Sequence, residues 1–200
     1  MLRKGRDVVQ AGERQRKVRS DKKRDIKPTV AVQLKDSIYR LSFITTTAVK
    51  DVCEMLVVNA FENEAIIENL ANYFQRDVRI GHTLFVGRLQ NKRIGRTIAG
   101  ETDRISFRVK QNLYEKLYAL SYALDCSVSR VASVLLYESM TDADFIEQYM
   151  ARYVDSLDQS RKKELQQLLR YIRKETNERY GFAELLSLLV DEPIKWMFPK

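Results

Sequence analysis

The chain has 200 residues, of which 44% are hydrophobic and 31% are charged, and its formal net charge is +8. The hydrophobic content is sufficient for a buried core, while no run approaches the roughly 18 apolar residues that a membrane span needs. Two cysteines without a CxxC spacing and a single histidine argue against a disulfide framework and a histidine-rich metal site. We therefore expect a cytoplasmic protein without membrane segments.

Residues 1–28 form a strongly basic segment. They contain eleven Lys/Arg and four Asp/Glu, a charge of +7, and so leave only +1 for the rest of the chain. A charge run of this kind is typical of a solvated arm. We predict a flexible arm that ends at Pro28; its charge suits either solubility alone or the neutralisation of DNA phosphates.

A strand followed by two helices is predicted in residues 29–61. Apolar and polar residues alternate from Thr29 to Lys35, which is the period of a half-buried strand. A short first helix follows, and Thr47 is expected to cap the second. The second helix places on one face the apolar residues Val49, Val52, Cys53, Leu56 and Ala60.

The same order recurs in residues 104–140. A strand-like alternation is followed by two amphipathic helices that are separated near Asp125. The second helices align at an offset of 79 in the numbering, Val49 with Val128, whereas the strands align at an offset of 75, Val30 with Ile105. Because four residues make about one helical turn, the first helix of the first repeat is predicted to be a turn shorter than its counterpart.

The remaining segments are predicted to be mainly helical. Residues 62–103 suit a helix followed by a basic linker with a small hairpin, and residues 141–200 suit a C-terminal helical region. The apolar residues of that region fit either packing on the repeats or an interface between copies. We expect a homo-oligomer formed through these C-terminal helices.

One strand with two amphipathic helices leaves its strand edges and apolar face uncovered, so two such units have to pair. Both repeats resemble the ribbon-helix-helix family, the superfamily of the Arc and MetJ repressors, over about 70 of the 200 residues. The resemblance implies a mainly α fold. Its two repeats would pair as an intramolecular antiparallel β-ribbon over four helices, with the C-terminal helical region added.

The resemblance also implies how DNA is bound. In this family the ribbon enters the major groove, where each base pair shows a distinct pattern of donors and acceptors. The start of each second helix offers free N–H groups to a phosphate. Polar residues also occupy ordinary solvated strands and helix caps. The implied base-contacting residues are Thr29, Ala31, Gln33, Lys35, Arg104, Ser106, Arg108 and Lys110, and the implied phosphate-contacting residues are Thr47, Ala48, Lys50, Ser127, Val128, Ser129 and Arg130.

We therefore expect a sequence-specific protein that binds double-stranded DNA, with a transcriptional repressor of bacterial, plasmid or phage origin as the leading interpretation. Two alternatives stay open: an accessory factor for plasmid transfer or partition that recruits an enzyme or motor, and an antitoxin. No enzymatic activity, cofactor, metal or small-molecule ligand is predicted. Two unequal strands in one chain further predict a DNA site without two-fold symmetry.

Overall fold

The computed structural model describes residues 23–95, 98, 100–153 and 156–176. Most of the predicted arm and the predicted helix from Phe182 onward lie outside these residues. In the described part the chain is mainly helical, with short antiparallel strand pairs. The helices are α1 Val32–Thr45, α2 Val49–Glu62, α3 Glu64–Ala71, α4 Gln111–Ala123, α5 Val128–Thr141, α6 Ala143–Ala151 and α7 Gln159–Thr176. The strands are β1 Arg24–Ile26, β2 Thr29–Ala31, β3 Val78–Ile80, β4 Thr83–Phe85, β5 Thr102–Arg104 and β6 Phe107–Val109.

Two halves of the chain meet in a two-stranded antiparallel ribbon. Strand β1 pairs with β6 and β2 with β5 in a single register, with Arg24 opposite Val109 and Thr29 opposite Arg104. Pro28 interrupts the ladder because it has no N–H to donate. Its carbonyl oxygen still accepts from the Ile105 N–H at 3.1 Å. The ribbon is thus one ladder with a proline in its middle, formed within one chain.

Each helix of the first repeat recurs at a constant offset of 79 in the numbering, and the bounds of the strands recur at 78. Helix α1 begins at Val32 and α4 at Gln111, while α2 begins at Val49 and α5 at Val128. The two first helices have similar lengths, 14 and 13 residues. The predicted offset of 75 for the strands was therefore wrong, and so was the prediction that the first helix of the first repeat is a turn short.

The ribbon obeys the same shift of 79. Arg24 pairs with Val109, and Asp103 pairs with Val30. The shift of 79 is set by the helices that follow the two strands, α1 at Val32 and α4 at Gln111, and in this register it converts the first pair into the second. An antiparallel ribbon that maps onto itself in this way has an approximate two-fold axis through its centre, and the axis relates the two repeats.

The strand of the first repeat lies earlier in the sequence than the alternation predicted. It begins at Arg24, inside the segment predicted as an arm, and α1 begins at Val32. The Val32 N–H still donates to the Glu101 carbonyl oxygen at 3.0 Å, so the ladder ends there. Beyond Val32 the buried residues Leu34 and Ile38 have the spacing of a helix. The prediction that the strand continues to Lys35 was wrong because alternation and helical spacing overlap in this segment.

The segment that follows α3 and the helix α6 each contact the opposite repeat. After α3 the Gln75 N–H donates to the Ala123 carbonyl oxygen, at the end of α4, at 2.7 Å. On α6 the Tyr149 side chain lies close to Thr45 and Thr47, at the end of α1. The predicted linker hairpin is formed by β3 and β4. The two repeats are therefore joined by their third helices as well as by the ribbon.

The core lies where α2 and α5 pack against each other beneath the ribbon, and α7 packs on α1. The predicted apolar faces of the second helices are buried, which confirms that part of the prediction. No single helix in the described ranges is long and apolar enough to cross a membrane; α4 and α5 meet that test only as a pair bent by 100°. The buried side chains of α7 are Leu165, Leu168, Leu169 and Ile172, which the chain uses in its own core.

Candidate nucleic-acid interface

One face of the ribbon is exposed and carries charged and hydroxyl side chains. Its inward residues, such as Val30 and Phe107, are buried against α2 and α5. Because Pro28 and Ile105 form a hydrogen-bonded pair, the outward residues occupy non-hydrogen-bonded pairs, in which the Cα atoms are about 4.5 Å apart and the side chains are closest. The outward pairs in this register are Asp25 with Arg108, Lys27 with Ser106, Thr29 with Arg104 and Ala31 with Thr102; the first three, whose residues are all exposed, we call the ribbon face.

The predicted base-contacting residues of the second repeat lie on the exposed side of their strand, as the alternation predicted. Arg104, Ser106 and Arg108 are exposed on the ribbon face, and 72% of the Arg108 side chain is accessible. Lys110 is also exposed, at the end of the ribbon, where it is the N-cap residue of α4. Two arginines and a serine are thus available to a ligand on one surface.

The first repeat differs from its predicted site. Thr29 lies on the ribbon face, but Ala31 is half-buried at the end of β2. Gln33 and Lys35 were wrongly predicted as outward strand residues. Both lie on α1, so their side chains follow the helical period and not the alternation of a strand. The Lys35 Nζ lies 2.6 Å from the Asp103 Oδ2, and this hydrogen bond raises the pKa of Lys35 and lowers that of Asp103.

Two residues of the ribbon face were missed. Asp25 and Lys27 precede Pro28, where the arm was predicted to end. The signal was present, since exposed Asp25, Lys27 and Thr29 alternate with buried Ile26 and Pro28. Proline removes one donor from a ladder but leaves its carbonyl oxygen, so a strand on the outside of a two-stranded ribbon tolerates it.

Asp25 is the centre of a polar network on the ribbon face. Its Oδ1 accepts from the Ser106 hydroxyl at 3.3 Å and lies 3.9 Å from the Arg108 Nε. Its Oδ2 lies 3.2 Å from the Lys27 Nζ. The ion pairs are exposed and contribute little stability. Their main effect is to hold one carboxylate among three donors on the outward surface.

The N-termini of the second helices differ between the repeats. Ser127 is the N-cap of α5, and its hydroxyl accepts from the Arg130 N–H at 3.2 Å. In the first repeat the N-cap is Ala48, without a side-chain cap. Thr47 was wrongly predicted as that cap, because its hydroxyl donates to the Thr45 carbonyl oxygen at 3.3 Å instead.

The other predicted phosphate-contacting residues lie in the first turns of these helices. Lys50 is exposed in α2, whereas Val128 and Ser129 are half-buried in α5. Each helix start has free N–H groups and the positive end of the helix dipole. The two starts, Val49 and Val128, share the constant offset of the repeats and are therefore related by the approximate two-fold axis.

The linker adds two cations to the turn before α5. The Arg76 Nη2 lies 2.9 Å from the Asp125 Oδ1, and the Arg93 Nη2 lies 3.3 Å from the Asp125 Oδ2. The Arg76 guanidinium also lies over the Tyr122 ring, 4.7 Å from its centroid. Arg76, Ser127 and Arg130 line a shared groove of about 610 Å³. The sequence indicated only a generally basic linker and gave no reason to place Arg76 here.

Other parts of the described chain offer little for a metal or cofactor. No group of three or more His, Cys, Asp and Glu side chains comes together within the described ranges. A cavity of about 550 Å³ lies beside β2 and α5, with Arg130, Glu138 and Glu175 among its lining residues. Burial raises the pKa of Glu138. This cavity is lined by charges of both signs and lies on the side of the ribbon opposite its exposed face.

Comparison with known proteins gives no relative from which a role can be transferred. No family model, curated protein or solved structure matches the chain significantly. The interpretation of the ribbon face therefore depends on its geometry and charge.

Proposed function

We propose that this protein binds double-stranded DNA sequence-specifically, as a tandem ribbon-helix-helix protein that carries both halves of its DNA-binding unit in one chain. The observation that carries the proposal is the presence of Arg104, Ser106 and Arg108 together on the exposed face of a two-stranded antiparallel ribbon. The major groove of B-DNA admits such a ribbon. Arginine suits the O6 and N7 acceptors of guanine, and serine is permissive.

The surroundings of the ribbon support this mode of binding. The N-termini of α2 and α5 are related by the approximate two-fold axis of the ribbon, so they lie on opposite sides of it. Each helix N-terminus is suited to bind a phosphate of the DNA strand that borders the major groove. Contacts of this kind would fix the register of the ribbon on DNA without reading sequence. Lys50, Ser127 and Arg130 are the side chains that we propose for this positioning role.

We extend the proposal to a transcriptional repressor that acts in the cytoplasm by occupying a promoter. A site at a plasmid transfer or partition locus would instead assign the chain to the accessory factors. The antitoxin is less well supported, because α7 buries Leu168 and Ile172 within its own chain and so does not present them to a toxin. A ribbon covers only a few base pairs, so we propose that several copies bind together.

The direct test is selection of bound duplexes from a randomised library, followed by footprinting of the selected sequence. We expect enrichment of one sequence that contains guanine at two positions and lacks two-fold symmetry within the site of one ribbon. No enrichment at moderate salt would contradict sequence-specific binding. A strictly symmetric site would contradict the ribbon formed within one chain.

A further inference from the structure

The two ends of the ribbon face differ in charge, because one pairs Asp25 with Arg108 and the other pairs Thr29 with Arg104, and this difference points to a specific base preference. The approximate two-fold axis relates Asp25 to Arg104 and Thr29 to Arg108, since both pairs show the constant offset of the repeats. One end therefore opposes a carboxylate to Arg108, and the other opposes a hydroxyl to Arg104. Among the described residues, Asp25 is the one acidic side chain on this face.

Asp25 is placed to meet a hydrogen-bond donor and not a phosphate. A carboxylate accepts hydrogen bonds and repels phosphates. In the major groove the exposed donors are the N4 amino group of cytosine and the N6 amino group of adenine. Carboxylates pair with cytosine N4, and arginine pairs with guanine O6 and N7. A guanine–cytosine pair thus presents the complement of an arginine beside a carboxylate.

We propose that Asp25 is a specificity-determining residue that accepts a hydrogen bond from cytosine N4, next to a guanine bound by Arg108. The inference rests on the proposed DNA-binding function and names the base that one end of the ribbon prefers. Asp25 and Arg108 are directly opposed across the ribbon, in a pair type with Cα atoms about 4.5 Å apart. That separation is close to the rise of one base pair, about 3.4 Å, so both side chains reach the same or adjacent base pairs.

In the free protein the network around Asp25 holds both side chains close to this arrangement. Asp25 accepts from Ser106 at 3.3 Å, while Arg108 is 3.9 Å away and 72% of its side chain is accessible. Arg108 is therefore near the carboxylate without being fully engaged by it, and it remains able to extend to a base. At the other end Arg104 faces Thr29, so the described ribbon face places no carboxylate opposite the guanine that Arg104 would bind.

The test is duplex selection with the wild-type protein, Asp25→Asn and the matched control Asp103→Asn, each followed by competition binding. Asp103 is a carboxylate of the same ribbon whose side chain pairs with Lys35 and lies off the ribbon face, so its removal changes the charge equally. For the wild type and the control, we expect replacement of one guanine–cytosine pair to weaken binding about tenfold or more. For Asp25→Asn we expect the same replacement to weaken binding by a factor about threefold or more smaller than in the wild type, because Arg108 alone then distinguishes that pair, while preferences elsewhere stay unchanged.

The outcomes separate this inference from the proposed function. Unchanged preferences at every position in Asp25→Asn would overturn the inference and leave sequence-specific binding intact. Loss of all selection by a folded Asp25→Asn would also overturn it, because Asp25 would then support the ribbon and not read a base. A wild-type protein that enriches no sequence would overturn the proposed function itself. Retention of the cytosine preference in Asp25→Glu would support a role for the carboxylate.

Discussion

Asn63 and Asp142 occupy equivalent positions in the two repeats and hydrogen bond to each other. The Asn63 Nδ2 donates to the Asp142 Oδ2 at 2.7 Å, and the two residues are 79 apart in the chain. Each is also the N-cap of its third helix, since Asn63 accepts from the Ile66 N–H and Asp142 from the Phe145 N–H. The approximate two-fold axis therefore passes between these side chains as it passes through the ribbon.

This pair should couple the stability of the two repeats. Asp142→Ala removes a cap and the contact across the axis, and we expect it to lower the free energy of unfolding by about 1–3 kcal/mol. A double-mutant cycle with Asn63→Ala, followed by urea unfolding, should give a coupling of at least about 0.5 kcal/mol. Ser127→Ala is the control, because it removes a cap without touching Asn63. A coupling as small as that of the control would contradict the contact across the axis.

The turns between the first and second helices should respond differently to glycine. Thr46 and Asp125 share a left-handed backbone with φ of 52°. Thr46→Gly should raise the free energy of unfolding by up to about 1 kcal/mol, because glycine relieves the left-handed strain. Asp125→Gly relieves the same strain but removes the ion pairs with Arg76 and Arg93, so we expect it to be destabilising. Equal gains in thermal unfolding would contradict a stabilising role for those two ion pairs.

Arg108→Ala should weaken binding to the selected DNA site by about 1–3 kcal/mol and binding to random DNA by less, because we propose that this side chain contacts a base. Fluorescence anisotropy with both duplexes measures the difference. Arg79→Ala is the matched control, since Arg79 is an exposed arginine on the β3–β4 hairpin. Equal losses of affinity on both duplexes would assign Arg108 to a phosphate.

Deletion of residues 1–22 should weaken binding to all DNA sequences and reduce its dependence on salt. This segment contains eight Lys/Arg and three Asp/Glu. Removal of each phosphate-neutralising cation lowers the slope of log K against log salt by about 0.9. The matched variant keeps all 200 residues and replaces the eight cations with glutamine. An unchanged slope in both variants would show that the segment does not bind DNA. Deletion to residue 27 is unsuitable, because it removes β1.

The two cysteines should differ in reactivity and in their effect on alkaline stability. Burial raises the pKa of the Cys53 thiol to about 12, from 9.0, and raises that of half-buried Cys126 as well. Above pH 9 the unfolded chain ionises Cys53 while the folded chain does not. This contribution to stability is therefore complete below pH 9 and is lost toward pH 12. In Cys126→Ser, alkylation of Cys53 should follow unfolding, and rapid alkylation of the native protein would contradict its burial.

The sequence predicted the parts of the site that depend on local pattern. Alternation from Arg104 to Lys110 fixes which side chains of the second strand face outward, because successive residues of a strand point to opposite sides. Helical spacing likewise predicted the buried faces of α2 and α5, since it reports directly on which side of a helix meets the core.

Other parts of the site were decided by contacts between distant segments. Local pattern did not distinguish a strand that ends at Ala31 from one that ends at Lys35, because Val32 and Leu34 satisfy both periods. The partner strand decides it, since the ladder ends where Val32 meets Glu101. The strand therefore lies earlier, and the ribbon face includes Asp25 and Lys27. The position of Arg76 beside Asp125 also depends on where α3 leads the chain.

The sequence by itself determined two repeats, their apolar faces and the outward residues of the second strand, because periodicity is a property of neighbouring residues. The tertiary structure alone decided the register of the ribbon and the extension of the offset of 79 from the second helices to the first. A register is a relation between segments that are far apart in the chain, and it is set by the joint burial of Ile26, Val30, Phe107 and Val109 between the ribbon and the second helices.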